Sequence, residues 1–212
     1  MKNLARRYRT YFRQREFLIS LLTSILLFFI ALVINFYAGL YANESASNSV
    51  TDIVLDNIPV FSVDEIFVYG PVVFWTIVGL FCFWDPKKFP FVLKSIALFT
   101  VTRSLFITLT HLGPSPDQLI IDYSSDFIKK FTFGADLFFS GHTGLPFLMA
   151  LVFGKNRQLR NIFTMVAVFF GIIVLMAHVH YSIDVLSAFF ITYAIYHIAV
   201  WLFPRDHQVF NS

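Results

Sequence analysis

The sequence predicts an all-α membrane protein, one bundle of six transmembrane helices with both termini in the cytoplasm. Of the 212 residues, 57% are hydrophobic and only 14% are charged, whereas a soluble domain carries about 25% charged residues. The mean hydropathy is +0.69. The apolar residues fall into long blocks rather than amphipathic patterns, which is typical of membrane spans. This composition excludes an ordinary soluble domain, a disordered chain and a nucleic-acid-binding protein.

Six segments are long and apolar enough to form a spanning helix, which needs roughly 20 mainly apolar residues to cross about 30 Å of hydrocarbon. The predicted spans are Phe17–Ala42, Ile66–Trp84, Phe89–Leu112, Leu137–Phe153, Ile162–Val179 and Tyr181–Phe203. Residues 17–203 then form one transmembrane domain between two predicted cytoplasmic tails, the basic residues 1–16 and residues 204–212. The sequence leaves the oligomeric state open.

The basic residues predict the orientation, because lysine and arginine accumulate on the cytoplasmic side of membrane proteins. The predicted cytoplasmic side holds twelve of the sixteen: Lys2, Arg6, Arg7, Arg9, Arg13, Arg15, Lys87, Lys88, Lys155, Arg157, Arg160 and Arg205. The opposite side holds only Lys129 and Lys130, and it collects ten of the acidic residues: Glu44, Asp52, Asp56, Asp64, Glu65, Asp117, Asp122, Asp126, Asp136 and Asp184. We therefore expect both termini to be cytoplasmic and the basic tail to rest on anionic lipid.

Ionisable side chains inside a span are costly and so indicate function. Arg103 lies roughly 21 Å along the third span from its cytoplasmic end. His142 lies close to the outer start of the fourth span, His180 lies between the fifth and sixth, and Asp184 lies in the first turn of the sixth. Four spans therefore bring these four groups to one depth near the outer side. Lys94 lies nearer the inner side, where we expect its ammonium group to extend to the cytoplasmic headgroups.

His180 and Asp184 have the spacing of a histidine oriented by a carboxylate. Four residues apart on a helix, they share one face; if Ser182 caps the sixth span instead, His180 can fold back over the first helical turn. In either arrangement the carboxylate accepts a hydrogen bond from one imidazole nitrogen and leaves the other basic. His178 would lie about 200° around a helix from His180 and point away from it.

Simpler interpretations apply to several of these residues. Residues 140–143 could be a small-residue contact between helices. A metal site built from His142, His180 and Asp184 is chemically feasible, but no Cys or HExxH pattern supports it, so no metal or other cofactor is predicted. Packing or a place in the boundary belt is expected for the remaining histidines, His111, His178, His197 and His207.

Two motifs resemble the sphingomyelin synthase-like branch of the type 2 phosphatidic acid phosphatase (PAP2) superfamily. Residues 136–143 read DLFFSGHT and residues 180–185 read HYSIDV, where members of the branch read G-D-x3-S-G-H-T and H-Y-[ST]-x-D-V. A third motif, an arginine followed seven residues later by threonine and then by Leu-Pro, is approximated by Arg103, Thr110, Leu112 and Pro114. The resemblance covers roughly residues 100–197. It departs at Gly134-Ala135, where the branch has Cys-Gly.

The resemblance implies that residues 17–203 form a catalytic domain that needs no metal. His180 would attack the phosphorus of a phospholipid headgroup, Asp184 would orient it, and His142 would protonate the leaving oxygen and then activate the acceptor hydroxyl. Asp136 would either tune His142 or contact a choline or ethanolamine group. The residues that the resemblance assigns to substrate binding are Arg103, Asp136, Ser140, Gly141 and Tyr181.

The implied activity is a ceramide cholinephosphotransferase or ethanolaminephosphotransferase, with a phospholipid donor, a lipid alcohol acceptor and a site on the periplasmic, lumenal or extracellular side. The alternative is a lipid phosphatase or phospholipase C-like hydrolase with water as acceptor. Two phosphate-binding cations of the phosphatase branch correspond to Ile96 and Val174 here, which argues against phosphate monoesters. A non-catalytic transporter is a remote alternative, because it would place polar residues near the membrane midplane and often show repeats.

Overall fold

The computed structural model describes residues 2–120 and 134–212, and within these ranges the chain is helical with no β-strand. The predicted outer residues Asp122, Asp126, Lys129 and Lys130 lie outside the described residues. Two short 3-10 helices, Leu55–Asn57 and Pro86–Lys88, lie in connections. The α-helices are α1 (Lys2–Phe12), α2 (Arg15–Glu44), α3 (Asp64–Trp84), α4 (Phe89–Leu109), α5 (Gly141–Val152), α6 (Arg157–Met176), α7 (Ser182–Leu202) and α8 (Pro204–Asn211).

Five helices, α2, α3, α4, α6 and α7, are long and apolar enough to cross a membrane. This confirms a helical chain of the multi-pass type, with bounds within five residues of those predicted. The largest difference is at the start of α6, which begins at Arg157 rather than Ile162. Asn156 caps this helix, because its side-chain oxygen accepts hydrogen bonds from the backbone N–H groups of Gln158 and Leu159. The cap extends the helix through polar residues that hydropathy leaves out.

The fourth predicted span, Leu137–Phe153, is not confirmed as a spanning helix. Its helix α5 has only 12 residues, which corresponds to a rise of about 18 Å and is shorter than the hydrocarbon core. The side chain of Ser140 caps α5 by accepting a hydrogen bond from the Thr143 N–H group. The apolar residues before Ser140 belong to a non-helical segment, residues 134–140, in which Leu137 and Phe139 are buried. Apolar composition alone did not separate this segment from the helix.

Residues 134–140 form a non-helical segment whose backbone polar groups are hydrogen-bonded by neighbouring helices. Non-helical backbone at membrane depth occurs only where protein or water satisfies its polar groups. Arg103 of α4 donates from Nε to the carbonyl oxygen of Phe139 at 2.8 Å. The N–H group of Ser140 donates to the carbonyl oxygen of Asp184 in α7 at 3.1 Å. Two neighbouring helices therefore hold the entry to α5.

A buried ion pair closes the opposite end of the bundle. Lys94 Nζ in α4 lies 2.6 Å from Asp206 Oδ2 in α8 and 2.9 Å from Ser20 Oγ in α2. The side chain of Lys94 is 10% exposed, so the expectation that it extends to the lipid headgroups is wrong. The chain turns into α8 after the last long helix and brings a carboxylate back to the ammonium group, which satisfies the buried charge directly.

Both ends of the described chain lie at this same end of the bundle. Tyr8 of α1 donates a hydrogen bond to the carbonyl oxygen of Phe83, at the end of α3. In the C-terminal helix α8, the ring of Phe210 lies 5.3 Å from that of Phe153, which follows α5. The segment 134–140 and helix α5 thus lead from the level of Arg103 to this end of the bundle, although α5 alone is too short to span a membrane. Which end faces the cytoplasm stays a prediction from the charges.

Close packing of α4 against α5 sets the position of the first turn of α5, which contains His142. A Cβ atom at Gly144 of α5 would lie 2.6 Å from the ring of Phe99 in α4 and 2.9 Å from Thr192 Oγ1 in α7. Real Cβ atoms do not approach this closely, so only glycine allows α5 to pack between these two helices. This packing holds the first turn of α5 beside Arg103, which lies one helical turn above Phe99.

Candidate active site

A cavity of about 720 Å³ collects most of the predicted site residues. His142, His180, Arg103, Asp136 and Gly141 all line it, although they come from α4, α5, the segment 134–140 and the turn before α7. The predicted residues that do not line the cavity are Asp184, Ser140 and Tyr181. In the ranges that the structure describes, no three His, Cys, Asp or Glu side chains form a metal-binding group.

His180 is backed by a buried carboxylate. Its Nδ1 lies 3.4 Å from Asp184 Oδ2, and the side chain of Asp184 is fully buried. Because Nδ1 faces the carboxylate, Nε2 is the nitrogen left for chemistry. The same Oδ2 also accepts the Tyr181 N–H group at 2.9 Å and so caps α7. Asp184 Oδ1 is buried with no hydrogen-bond partner among the described residues, which leaves the carboxylate charge available to the imidazole.

The geometry is close to the second of the two predicted arrangements. Helix α7 begins at Ser182, so His180 lies outside it and folds back over its first turn. The capping residue is Tyr181 rather than Ser182, and the side chain of Asp184 accepts its backbone N–H group. This hydrogen bond holds the backbone at the start of the helix. It therefore also fixes the backbone that carries His180.

His142 is held by aromatic rings from two other helices. Its ring stacks on Phe67 of α3, with centroids 4.2 Å apart and planes at 27°. Its ring also meets Phe170 of α6 edge to face, at 6.3 Å. These contacts orient the imidazole at the cavity wall. Sequence analysis missed Phe67 and Phe170, because nothing distinguishes them from the many other phenylalanines in the spans.

Arg103 binds the segment before α5 with all three guanidinium nitrogens. Nε donates to the Phe139 carbonyl oxygen, one terminal nitrogen lies 3.0 Å from Asp136 Oδ2, and the other donates to the Asp136 carbonyl oxygen. The side chains of Arg103 and Asp136 are 10% and 27% exposed. Of the described residues that line the cavity, these are the only arginine or lysine and the only carboxylate. Their charges offset each other.

Ser140 and Tyr181 support the site from behind. Ser140 is fully buried and caps α5. The hydroxyl of Tyr181 donates to the Gly113 carbonyl oxygen at 2.8 Å and accepts the Val50 N–H group at 3.3 Å. The assignment of both residues to substrate binding stays a prediction, and the observed contacts are to the protein itself. Gly141 does line the cavity, and its backbone lies against the Arg103 side chain.

Asp52 is a supporting residue that the sequence did not single out. Its Oδ2 accepts hydrogen bonds from both the backbone N–H and the hydroxyl of Ser182, at 2.7 and 2.8 Å. Its Oδ1 accepts the N–H groups of Val54 and Leu55. Burial by itself would raise the pKa of Asp52, but the hydrogen bonds from Ser182, Leu55 and Val54 outweigh it and lower the pKa. Asp52 thus ties the loop between α2 and α3 to the start of α7.

Most of the rest of the cavity wall is apolar. Three helices contribute apolar side chains to it: Phe67, Val72 and Trp75 of α3, Leu145 of α5 and Phe170 of α6. Val72 is also exposed on the outside of the bundle, so the wall continues into the apolar outer surface. A cavity with an apolar wall and a charged end suits an amphipathic ligand, whose chains lie on the wall and whose headgroup meets the polar side chains.

Residues 134–201 match the family model described as PAP2 superfamily C-terminal. The matched region contains α5, α6 and most of α7, and with them His142, His180 and Asp184. The match supports the PAP2 superfamily, whose members are generally phosphatase-type enzymes, and a lipid phosphatase or phosphotransferase type of fold. It does not distinguish the sphingomyelin synthase-like branch, and Arg103 lies outside it. No curated protein and no solved structure matches the chain.

Proposed function

We propose that this chain is an integral-membrane lipid phosphotransferase. It moves a phosphocholine or phosphoethanolamine headgroup from a glycerophospholipid to ceramide or a similar lipid alcohol. The observation that carries the proposal is one cavity that combines two histidines, His180 backed by Asp184 and His142, with a single arginine paired to a carboxylate.

The charges of the cavity favour a zwitterionic phosphodiester as donor. A phosphate monoester near neutral pH carries nearly two negative charges and a diester carries one, and an extra charge without a partner in a partly dry site costs several kcal/mol. Arg103 is already offset by Asp136. A zwitterionic headgroup brings its own cation, so its phosphate can lie at Arg103 while its ammonium group lies at Asp136. The site then stays close to neutral.

The first step forms a phosphohistidine that carries the headgroup. His180 Nε2 attacks the phosphorus, the N–P bond forms and the bond from phosphorus to the diacylglycerol oxygen breaks. His142 gives its proton to that departing oxygen. The buried carboxylate of Asp184 stabilises the positive charge that develops on the His180 ring. Arg103 donates to the phosphoryl oxygens as their charge redistributes.

The second step returns the enzyme to its starting state. The hydroxyl of the acceptor lipid gives its proton to His142 and attacks the phosphorus. The new O–P bond forms and the N–P bond to His180 breaks, so each histidine regains its first protonation state. Retention of the phosphorus group on His180 between the two steps means that donor and acceptor need not occupy the cavity together.

Hydrolysis is the second candidate, favoured by the match to a superfamily of generally phosphatase-type enzymes. Water would replace the lipid alcohol in the second step, with the same residues in the same roles. The offset charge of Arg103 argues against phosphatidate as the preferred substrate, since Arg103 is the only arginine or lysine among the described lining residues. It does not argue against hydrolysis of a diester.

The proposal is tested with purified protein in nanodiscs that contain headgroup-labelled phosphatidylcholine or phosphatidylethanolamine, with and without ceramide. Mass spectrometry should find diacylglycerol together with labelled headgroup on ceramide. His180→Ala and His142→Ala should each lower turnover by about 100-fold or more, the lower range for loss of an acid or base. His197→Ala is the matched control, because His197 is exposed on α7 and does not line the cavity.

Other outcomes of this experiment decide against the proposal. Free phosphocholine formed in place of the ceramide product would support the hydrolase. Release of inorganic phosphate from phosphatidate, faster than cleavage of either diester at equal surface concentration, would contradict the charge argument. A folded His180→Ala variant with normal turnover would contradict the assignment of the nucleophile.

A further inference from the structure

Helix α1 packs against the end of a spanning helix. The hydroxyl of Tyr8 donates to the carbonyl oxygen of Phe83 at 3.0 Å, and a terminal nitrogen of Arg7 donates to the carbonyl oxygen of Trp84 at 3.1 Å. Phe83 and Trp84 are the last two residues of α3, whose final carbonyl groups have no partner within the helix itself. Helix α1 therefore lies at the level where α3 reaches the surface of the membrane.

The two faces of α1 differ in burial. Leu4, Tyr8 and Tyr11 follow one another at intervals of four and three residues, which places them on one face of a helix. All three are half-buried, and the ring of Tyr11 lies 5.5 Å from that of Phe17 at the start of α2. Arg6 and Arg9 lie on the opposite face, and both are exposed. One face of α1 thus meets the protein and the other is open.

The open face carries a concentrated positive charge. Arg13 follows the helix and is exposed like Arg6 and Arg9, and we refer to these three residues as the arginine face. Within the described chain, none of their guanidinium groups forms an ion pair, whereas Lys88 at the same end of the bundle lies 3.8 Å from Asp85. Three neighbouring cations without a counterion in the protein attract an external anion.

The position of the arginine face indicates which anion this is. Two residues separate α1 from the spanning helix α2, so lipid headgroups surround α1 at its own level. Phe12, the last residue of α1, is an apolar ring that is 43% exposed. Aromatic and apolar side chains beside basic ones are typical of helices that lie in the membrane interface. A soluble polyanion would neutralise the arginines but leave this ring in water.

We infer that the arginine face binds the headgroups of anionic phospholipids in the leaflet at this end of the bundle. Basic residues next to a span are attracted to anionic lipid, whereas a zwitterionic headgroup has no net charge to offer. The arginines of the basic tail then divide their roles, because the arginine face meets lipid while Arg7 holds α3. Bound lipid therefore also stabilises the end of the helix that carries Phe67 against His142.

Photocrosslinking of the full chain in phosphatidylcholine nanodiscs tests the binding. The probe is phosphatidylglycerol with a diazirine in its headgroup, and phosphatidylcholine with a diazirine on the choline is its comparison. By peptide mass spectrometry, the anionic probe should label residues 2–15 about fivefold more than the comparison, the preference contributed by one arginine near an anionic surface. Both leaflets of a nanodisc contain the probe, so the result does not depend on which end is cytoplasmic.

Three variants separate charge from structure. Changing Arg6, Arg9 and Arg13 together to glutamine should abolish the excess labelling. Changing the same three residues to lysine keeps the charges and should retain most of it. The matched control changes to glutamine three other exposed arginines at the same end of the bundle, and it should behave like the unchanged protein. Its positions are Arg157, Arg160 and Arg205.

Thermal unfolding tests whether the bound lipid stabilises the fold. A ligand that binds only the folded state raises the unfolding temperature. Nanodiscs that contain phosphatidylglycerol should therefore stabilise the unchanged protein and the control variant, but not the variant with glutamine in the arginine face. High salt should reduce this stabilisation, because it screens exposed charges.

Several results would overturn the inference. They are equal labelling by the two probes, excess labelling that persists in the glutamine variant of the arginine face, and the same loss of labelling in the control variant. Equal stabilisation of that glutamine variant by phosphatidylglycerol would place the lipid elsewhere on the protein. Displacement of the probe by a soluble oligonucleotide would assign the arginine face to a soluble partner. The inference does not rest on the proposed phosphotransfer, and failure of headgroup transfer would leave these results unchanged.

Discussion

Asp184 has two roles that a pair of substitutions can separate. Its Oδ2 accepts the Tyr181 N–H group, which caps α7, and lies 3.4 Å from His180 Nδ1. Asp184→Asn keeps an oxygen that can accept from Tyr181 but removes the negative charge. Asp184→Ala removes both. We therefore expect the two variants to share a loss of activity and to differ in stability.

The magnitude follows from the distance. At 3.4 Å a full charge pair is worth about 5 kcal/mol at an effective dielectric constant of about 20. If half to all of a positive charge develops on His180 in the transition state, loss of the carboxylate charge lowers turnover by about 60-fold to 4,000-fold. The helix cap contributes about 1 kcal/mol to stability, which Asp184→Ala should lose and Asp184→Asn should largely keep.

The assay combines headgroup transfer with thermal unfolding of both variants in the same nanodiscs. Turnover should fall by about 100-fold or more in each, consistent with the loss of an orienting carboxylate in other histidine sites, while only Asp184→Ala unfolds at a clearly lower temperature. Near-normal turnover in Asp184→Asn would refute the reasoning, because it would mean that Asp184 serves the helix alone.

Three further predictions concern orientation and stability. Ile53→Cys, at a residue 82% exposed, should react with a membrane-impermeant maleimide in intact cells, whereas Ser212→Cys should react only after permeabilisation; the reverse labelling would move the site to the inner leaflet. Lys94→Met should cost about 3–5 kcal/mol of unfolding free energy by leaving the largely buried Asp206 carboxylate without its cation, and combining it with Asp206→Leu should recover most of this; equal stability of all the variants would exclude a buried pair. The lowered pKa of Asp52 means that its ionised form stabilises the fold near neutral pH, and this contribution is lost as pH falls below about 4, through the lowered pKa. Thermal unfolding between pH 3 and 7 should therefore depend less on pH in Asp52→Asn, and an unchanged pH dependence would contradict the link.

The sequence predicted six long helices, of which five are present, and several of the residues that line the cavity. Arg103, His142 and His180 could be placed at one depth because each is a costly polar group at a countable distance along a span. The motif at residues 180–185 contains both His180 and Asp184, and helix geometry then left two arrangements. Counting residues along a helix is reliable when the helix is continuous, as α4 is.

Counting residues along a helix fails where hydrogen bonds from other parts of the protein, rather than hydropathy, determine the backbone conformation. Leu137 and Phe139 are as apolar as any residue in a span, yet their backbone is not helical because Arg103 and α7 satisfy it from outside. Lys94 is paired by Asp206, 112 residues away along the chain. Both features depend on which helices become neighbours, and a single sequence does not contain that information in a readable form.

Arg103 links the fold to the chemistry, and this affects how its variants should be interpreted. Its guanidinium group holds the non-helical segment before α5 and is also the cation proposed to meet the phosphate. Replacing Arg103 would therefore displace His142 as well as remove a charge, so the loss of activity would not measure phosphate binding. Asp136→Asn is the sharper change, because it leaves the backbone carbonyl contacts of Arg103 in place and removes only the opposing charge. A site that binds zwitterionic diesters should then lose selectivity against phosphatidate, whereas a site in which Asp136 only holds the segment should lose stability and keep its selectivity.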